Sequence, residues 1–229
     1  MTYFMKIRSG GVPTLQAHDR LSRAEFERRY AAMPSSMKAE LLNGAVYVAQ
    51  PVRHVYHGRP HSILTGWLCC HADATPGLDI GDNSSLRLEG DNEPQPDILL
   101  RVPVEHGGRS RIDAEGYVVG APELVTEVTA SSVTYDLHEK LDVYRSHGVL
   151  EYVVHRVEDG AVDWFVLRDG RYERQEPDAD GIPRSTVFPG LWLDAGALLR
   201  GDRSGVRACV ERGIAGPAHA EFVARLRAR

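Results

Sequence analysis

The segment Leu124-Val125-Thr126-Glu127-Val128 constrains the fold more than any other part of the chain, because it places a carboxylate inside the most strand-like apolar run of the central region. A bare carboxylate that is buried costs several kcal/mol, so an inward-pointing Glu127 needs a cation, a proton or a metal ion. Alternatively, residue alternation turns Glu127 toward solvent on an edge strand. Taken alone, the segment leaves both interpretations open.

Three segments carry the apolar periodicity of amphipathic helices. They are residues 21–33, 61–72 and 136–147. Ser22 is placed to cap the first helix, and Gly148 stands where a glycine ends the third.

Strand signals occupy much of the remaining chain. Asn43-Gly44 and Asp159-Gly160 predict the turns of two β-hairpins. One hairpin is expected over 39–49, and a second joins the strands 151–157 and 161–167. Further strands are expected over 78–88, 97–103, 123–129 and 186–193 and after Asp169-Gly170. Residues 104–121 are expected to form an exposed loop. This order of helices and strands predicts a mixed α/β domain around one sheet.

The composition of the 229 residues fits a globular protein with a sizeable core. The net charge of -5 argues against a basic footprint over the whole surface, although a basic groove remains compatible with it. No apolar stretch approaches the ~20 residues of a membrane-spanning helix, and no apolar run follows residues 1–10, so neither a membrane partner nor a signal peptide is expected. Three cysteines, two of them adjacent, predict no disulfide framework and favour a cytoplasmic protein.

Four further polar residues are candidates for a site, and each has a simpler alternative. Asp97 heads an apolar strand, or it is a turn residue. Lys140 lies beside Tyr144 at the edge of a buried helical stripe and can reach inward, or it covers apolar surface with its stem. Glu40 in the first hairpin is a site residue or an exposed strand residue. His57 before the second helix is a site residue or a loop residue.

Together these residues resemble the Uma2 family (DUF820) of putative restriction endonucleases, within the PD-(D/E)XK nuclease superfamily. The resemblance covers about residues 20–198. The segments that carry it are 95–99, 121–128, 136–145 and 148–152, with 39–44, 57–59 and 188–191 as weaker matches. It implies a restriction-endonuclease-like fold, with a central mixed β-sheet flanked by helices and, in this chain, extra β-hairpins.

The resemblance also implies a set of site residues. Asp97 and Glu127 would hold Mg²⁺ or Mn²⁺. The lysine that the PD-(D/E)XK pattern places two residues after the glutamate is replaced by Thr129, and Lys140 on the following helix would take its role. Glu40 would be an auxiliary catalytic carboxylate that binds the metal or positions water. The auxiliary residues would be His57, Gln95 and Tyr144.

These residue types suit a metal-dependent endonuclease that hydrolyses the phosphodiester bonds of DNA. Hard carboxylate oxygens suit Mg²⁺, which acidifies a water molecule and neutralises phosphate charge, while an ammonium stabilises developing charge. DNA is therefore the expected partner, and a homodimer is plausible because cutting two strands usually calls for two sites.

Two other functions remain open. The first is a catalytically decayed PD-(D/E)XK protein that binds nucleic acid or a protein. The second is an unrelated hydrolase with a general acid/base pair of carboxylates, which no nucleophile elbow, P-loop or zinc signature supports.

The chain is expected to divide into a nuclease domain over residues 15–200 and a basic C-terminal extension over 201–229 with a helical final stretch. The arginines of this extension belong to a solvated helix face, or they contact a phosphate backbone. They are Arg203, Arg207, Arg212, Arg225, Arg227 and Arg229.

Overall fold

The computed structural model of the protein describes residues 11–49, 51–130 and 135–228, without the side chains of residues 135 and 136. The prediction about a signal peptide concerned residues 1–10 and lies outside the described residues. The α-helices are α1 (Arg23–Tyr30), α2 (Arg59–Asp73), α3 (Leu141–His147), α4 (Ala195–Arg200), α5 (Arg203–Ile214) and α6 (Pro217–Arg227). π-helical turns over His54–Gly58 and Tyr135–Lys140 lead directly into α2 and α3, and a 3-10 turn covers Val104–His106.

A six-stranded mixed sheet forms the centre of the fold. The strands of the chain are β1 (Ala39–Leu42), β2 (Ala45–Val48), β3 (Asp79–Asp82), β4 (Leu86–Arg87), β5 (Ile98–Arg101), β6 (Arg111–Ile112), β7 (Val118–Val119), β8 (Leu124–Thr129), β9 (Glu151–Arg156), β10 (Ala161–Arg168) and β11 (Arg171–Arg174). The central sheet has the order β11-β10-β9-β8-β5-β3, with β8 and β9 parallel and the other neighbours antiparallel. The predicted mixed α/β class with a central mixed sheet is confirmed.

Both predicted hairpins form, because their turns can adopt left-handed backbone angles. Asn43 and Gly44 have φ values of 49° and 75°, as a two-residue hairpin turn between β1 and β2 requires. Gly160, with φ of 58°, lies in the connection between β9 and β10. The three helix predictions are confirmed with ends that differ by a few residues, and Ser22 caps α1 by accepting the N–H of Glu25.

The central strands are buried on both faces of the sheet, which is why apolar residues follow one another along their sequences. Neighbouring residues of β5 alternate between two apolar cores: Leu100 belongs to the core under α2, α4, α5 and α6, and Leu99 belongs to the core under α3. The same alternation holds in β8, where Leu124 enters the first core and Val125 the second. Glu127 lies two positions from Val125 and therefore on the α3 side.

Residues beyond 200 contribute to the first of these cores. Val206 and Val210 of α5 and Phe222 and Leu226 of α6 are buried in it. The described arginines of both helices are exposed to solvent. The division of the chain at residue 200 stays a prediction.

Three of the strand and loop predictions differ from the structure. Residues 104–121 contain β6 and β7, which form a three-stranded sheet with β4, and the predicted strand over 78–88 is split between this sheet and the central one. Residues 186–193 form no strand, although Trp192 makes an isolated bridge.

The carboxylate of Glu151 explains the irregular path after residue 184. It accepts the backbone N–H of Thr186 at 2.7 Å, the Thr186 hydroxyl at 2.8 Å and the Ser185 hydroxyl at 2.7 Å. Backbone groups that bind a side chain are not available to a strand ladder. Burial raises the pKa of Glu151, against the hydrogen bonds from Ser185 and Thr186 that favour its charged form.

Within the described residues, none of the helices is both long and apolar enough to cross a membrane.

We expect Glu151→Gln to lower the free energy of unfolding by about 2 kcal/mol, because an amide replaces one acceptor oxygen with a donor that faces other donors. Urea denaturation measures this loss. Glu158→Gln, at an exposed position in the β9–β10 connection, is the matched control and should leave stability nearly unchanged. Equal stability of the two variants would mean that Glu151 does not hold this segment.

Candidate active site

Asp97 and Glu127 stand opposite each other at one end of the central sheet. In the antiparallel pair of β5 and β8, Ile98 faces Thr126 and Leu99 faces Val125. One further step of this register places Asp97 opposite Glu127. Directly opposite residues point to the same face, with Cβ atoms about 4.5–5.5 Å apart. Continuation of the register therefore places both side chains on the same face of the sheet.

Two donors from different elements hold the carboxylate of Asp97. The imidazole Nε2 of His57 lies 3.1 Å from Oδ1, and the backbone N–H of Val128 donates to Oδ2 at 2.7 Å. Burial raises the pKa of Asp97, but the hydrogen bonds from His57 and Val128 and the charge of Lys140 outweigh it, so the pKa is lowered. Asp97 therefore remains a carboxylate at neutral pH.

Glu127 is buried, and it is paired with a cation. The ammonium Nζ of Lys140 donates to Oε1 of Glu127 at 2.8 Å, and the hydroxyl of Tyr144 donates to the same oxygen at 3.1 Å. Only 6% of the Glu127 side chain and 4% of the Lys140 side chain are exposed. The alternative that Glu127 faces solvent on an edge strand is wrong, because β8 lies between β5 and β9.

The hairpin of β1 and β2 brings a third carboxylate. Oε1 of Glu40 lies 3.0 Å from Nζ of Lys140, and it also accepts the backbone N–H of Gln95. Lys140 is therefore shared by Glu40 and Glu127. The side chain of Gln95 turns elsewhere and contacts Oγ of Ser85 at 3.5 Å, so this residue reaches the site through its backbone.

Both π-helical turns deliver a residue to this site. His57 lies in the turn before α2, and Lys140 is the last residue of the turn before α3. The π-helix is rare in proteins and is often found at functional sites. A π turn shifts the residues before it relative to the helix that follows, so the directions of these two side chains are not those of a regular helix.

The structure thus brings together six of the seven predicted side chains: Asp97, Glu127, Lys140, Glu40, His57 and Tyr144. Sequence reasoning missed His61. Its Nε2 lies 2.9 Å from Oδ1 of Asp82 and 3.3 Å from the carbonyl oxygen of Asp97, and its ring centroid is 5.5 Å from that of His57. The four-residue spacing of the two histidines at the start of a helix was the available signal.

The donor set fits a hard divalent cation. The carboxylates of Asp97 and Glu127 would supply oxygen ligands, since Mg²⁺ commonly takes one or two carboxylates and completes its shell with water. Lys140 contacts the carboxylates of Glu40 and Glu127, and its charge also acts on Asp97. A dication would offset the repulsion between these carboxylates. In the described part of the chain, no group of three or more His, Cys, Asp or Glu residues is arranged to hold a metal ion.

A second charged cluster supports the hairpin that carries Glu40. The backbone of Glu93 exchanges two hydrogen bonds with Leu41. Burial of Glu93 raises its pKa to about 7, and a hydrogen bond with Glu27 acts in the same direction, whereas Arg87 lowers it. Arg87 in turn lies 3.1 Å from Glu27.

Comparison with known proteins gives a matching family and similar solved structures. The Uma2 family, described as "Putative restriction endonuclease", matches residues 23–196. The fold is similar to a crystal structure of a putative nuclease belonging to DUF820 from Anabaena variabilis, with a TM-score of 0.57 and 14% identity over 79% of this chain and 98% of that chain. At this identity the similarity shows the fold alone, and it confirms the expected fold class. No curated protein matches the chain.

We expect Lys140→Met to lower the free energy of unfolding by on the order of 3 kcal/mol in EDTA, because Glu40 and Glu127 lose a counter-charge that both contact. Lys38→Met, at an exposed position, is the matched control and should change stability by less than about 0.5 kcal/mol. Urea denaturation compares the two. A small loss for Lys140→Met would show that the carboxylates do not depend on this ammonium.

We expect Glu93→Gln to change how stability depends on pH. The pKa of Glu93 in the folded protein lies above its ordinary value of 4.5. The protonated form therefore stabilises the fold fully below about pH 4.5, and this stabilisation is lost as the pH rises through about 7. Glutamine does not ionise. The variant should therefore gain up to about 3 kcal/mol relative to the native protein between about pH 5 and about pH 8.

The measurement is urea denaturation at both pH values, with Glu176→Gln at an exposed position as the control. Parallel pH profiles for the native protein and Glu93→Gln would contradict this assignment.

Proposed function

Because the chain belongs to the Uma2 family of putative restriction endonucleases over residues 23–196, we propose that it is a metal-dependent endonuclease that hydrolyses phosphodiester bonds of DNA. The family and the similar fold support a nuclease. The metal ion, DNA as the substrate and the roles of individual residues are part of the proposal.

The observation that carries the proposal is the convergence of residues from four parts of the chain. One step beyond the β5–β8 register, Asp97 comes opposite Glu127, and Lys140 from the turn before α3 donates to Glu127. Glu40 from β1 joins them through Lys140. A lysine beside paired carboxylates at the end of a sheet combines metal ligands with a group that stabilises phosphate charge.

The residues have distinct tasks in this proposal. Asp97 and Glu127 would hold Mg²⁺ or Mn²⁺, which supplies an acidified water and neutralises charge on the scissile phosphate. His57 positions Asp97 through its hydrogen bond, and Tyr144 positions Glu127. The ammonium of Lys140 stabilises the negative charge that develops on the phosphate oxygens. Glu40 fixes the position of Lys140.

Two further assignments belong to the same proposal. The carboxylates of the site repel a polyanion such as DNA, and a bound dication would reduce this repulsion. DNA should therefore still bind in EDTA, but more tightly when the cation is present. A homodimer would supply the two sites that cleavage of both strands calls for.

One observation favours the alternative of a decayed site in a binding protein. Lys140 already lies between Glu40 and Glu127 and offsets their charges without a metal ion. A member of the fold that had lost catalysis would retain this ion pair because it stabilises the fold. The experiment below separates the two functions.

We expect purified protein to cut plasmid or single-stranded DNA with Mn²⁺ or Mg²⁺ and not with EDTA. Asp97→Asn should reduce the cleavage rate by a hundredfold or more, on the order of 3 kcal/mol, because it removes a charged ligand and keeps the side-chain shape. The same variant should lose Mn²⁺ binding measured by calorimetry and the rise in melting temperature that bound Mn²⁺ produces.

Asp142→Asn is the matched control, because Asp142 lies on α3 with its carboxylate exposed to solvent. It should cut and bind Mn²⁺ as the native protein does. Folded native protein that neither binds Mn²⁺ nor cuts DNA under any of these conditions would instead support the decayed binding protein.

A further inference from the structure

The turn that precedes α2 carries a concentration of exposed apolar side chains. Six large apolar residues of the described chain are exposed, and three of them, Val52, Val55 and Tyr56, lie within five residues of one another. Their exposed fractions are 67%, 51% and 37%. Exposure of so many apolar groups in one short segment points to a binding surface.

This turn surface, residues 52–59, is also cationic. Arg53, His54 and Arg59 are all exposed, and the segment has no acidic residue. The guanidinium of Arg53 lies over the ring of Tyr56, 4.8 Å from its centroid. An aromatic ring flanked by arginine is the combination that binds a nucleobase by stacking and the neighbouring phosphates by charge.

The turn surface is connected to the candidate active site by one residue. His57 follows Tyr56 directly, and its imidazole contacts Asp97 at 3.1 Å. The site itself presents carboxylates, which repel phosphate. A nucleic-acid strand that reaches this site needs a cationic surface beside it, and the turn surface supplies one.

We infer that residues 52–59 bind a single-stranded stretch of DNA, with an unpaired base stacked on Tyr56 and the adjacent phosphates contacted by Arg53 and Arg59. The inference deepens the proposed nuclease function and rests on it for the choice of DNA. The bases of a closed duplex are stacked on each other, so the ring of Tyr56 selects DNA whose bases are accessible.

The test measures binding of a fluorescently labelled oligonucleotide in EDTA, so that no cleavage occurs, in single-stranded and fully paired form. Native protein should bind the single strand more tightly. Tyr56→Ala should weaken that binding roughly fivefold to a hundredfold, as loss of one base–aromatic stack does. Tyr56→Phe keeps the ring and should bind as the native protein does. Arg53→Gln should weaken binding and reduce its dependence on salt.

Matched controls come from other exposed positions. Leu199→Ala on α4 removes an exposed apolar side chain, and Arg171→Gln on β11 removes an exposed charge. Neither should change the affinity. Unchanged affinity in Tyr56→Ala, or equal affinity of the native protein for both forms of DNA, overturns the inference.

Sedimentation of the same proteins tests whether the surface joins two copies of the chain. A native dimer that Tyr56→Ala dissociates, with DNA affinity unchanged, would assign the surface to that contact and overturn the inference.

The two proposals fail separately. Binding that depends on Tyr56 without any metal-dependent cleavage refutes only the nuclease, whereas cleavage lost in Asp97→Asn with no effect of Tyr56→Ala refutes only the turn surface.

Discussion

The ion pair between Glu127 and Lys140 is the interaction on which the rest of this structure depends. Glu127 lies on a central strand, between neighbours on both sides, where its charge cannot reach bulk water. A carboxylate in this position is stable only with a cation at hydrogen-bond distance, and Lys140 provides it at 2.8 Å. The turn before α3, the hairpin with Glu40 and the packing of Tyr144 are all arranged around this pair.

The same arrangement explains why the site lies where two layers of the fold meet. Glu127 points toward α3, whereas Asp97 also contacts His57 from the turn before α2, which packs on the opposite face of the sheet. The end of a strand is the place where side chains from both layers can reach one another. The exposed side chain of Tyr56 in that turn directly precedes His57, which contacts the buried carboxylate of Asp97.

Much of the fold was predictable, because local signals and the global fold agree. Asn43-Gly44 requires a tight turn by its backbone angles, and Gly148 ends α3 with a left-handed residue. The strand predicted at 186–193 failed for a reason that is not local. Glu151, distant in sequence, takes the backbone donors of that segment, and no pattern within the segment records this.

The sequence by itself determined the residue types of the candidate site, the strand that contains Glu127, the strand that follows Asp97, and membership of the family. It left each candidate with a simpler alternative, because an isolated carboxylate or lysine has no partner in its own segment. Only the tertiary structure decided the pairing, since the register of β5 with β8 and the position of α3 join residues that are far apart in the chain. Convergence of charges is a property of that packing, and local periodicity cannot encode it.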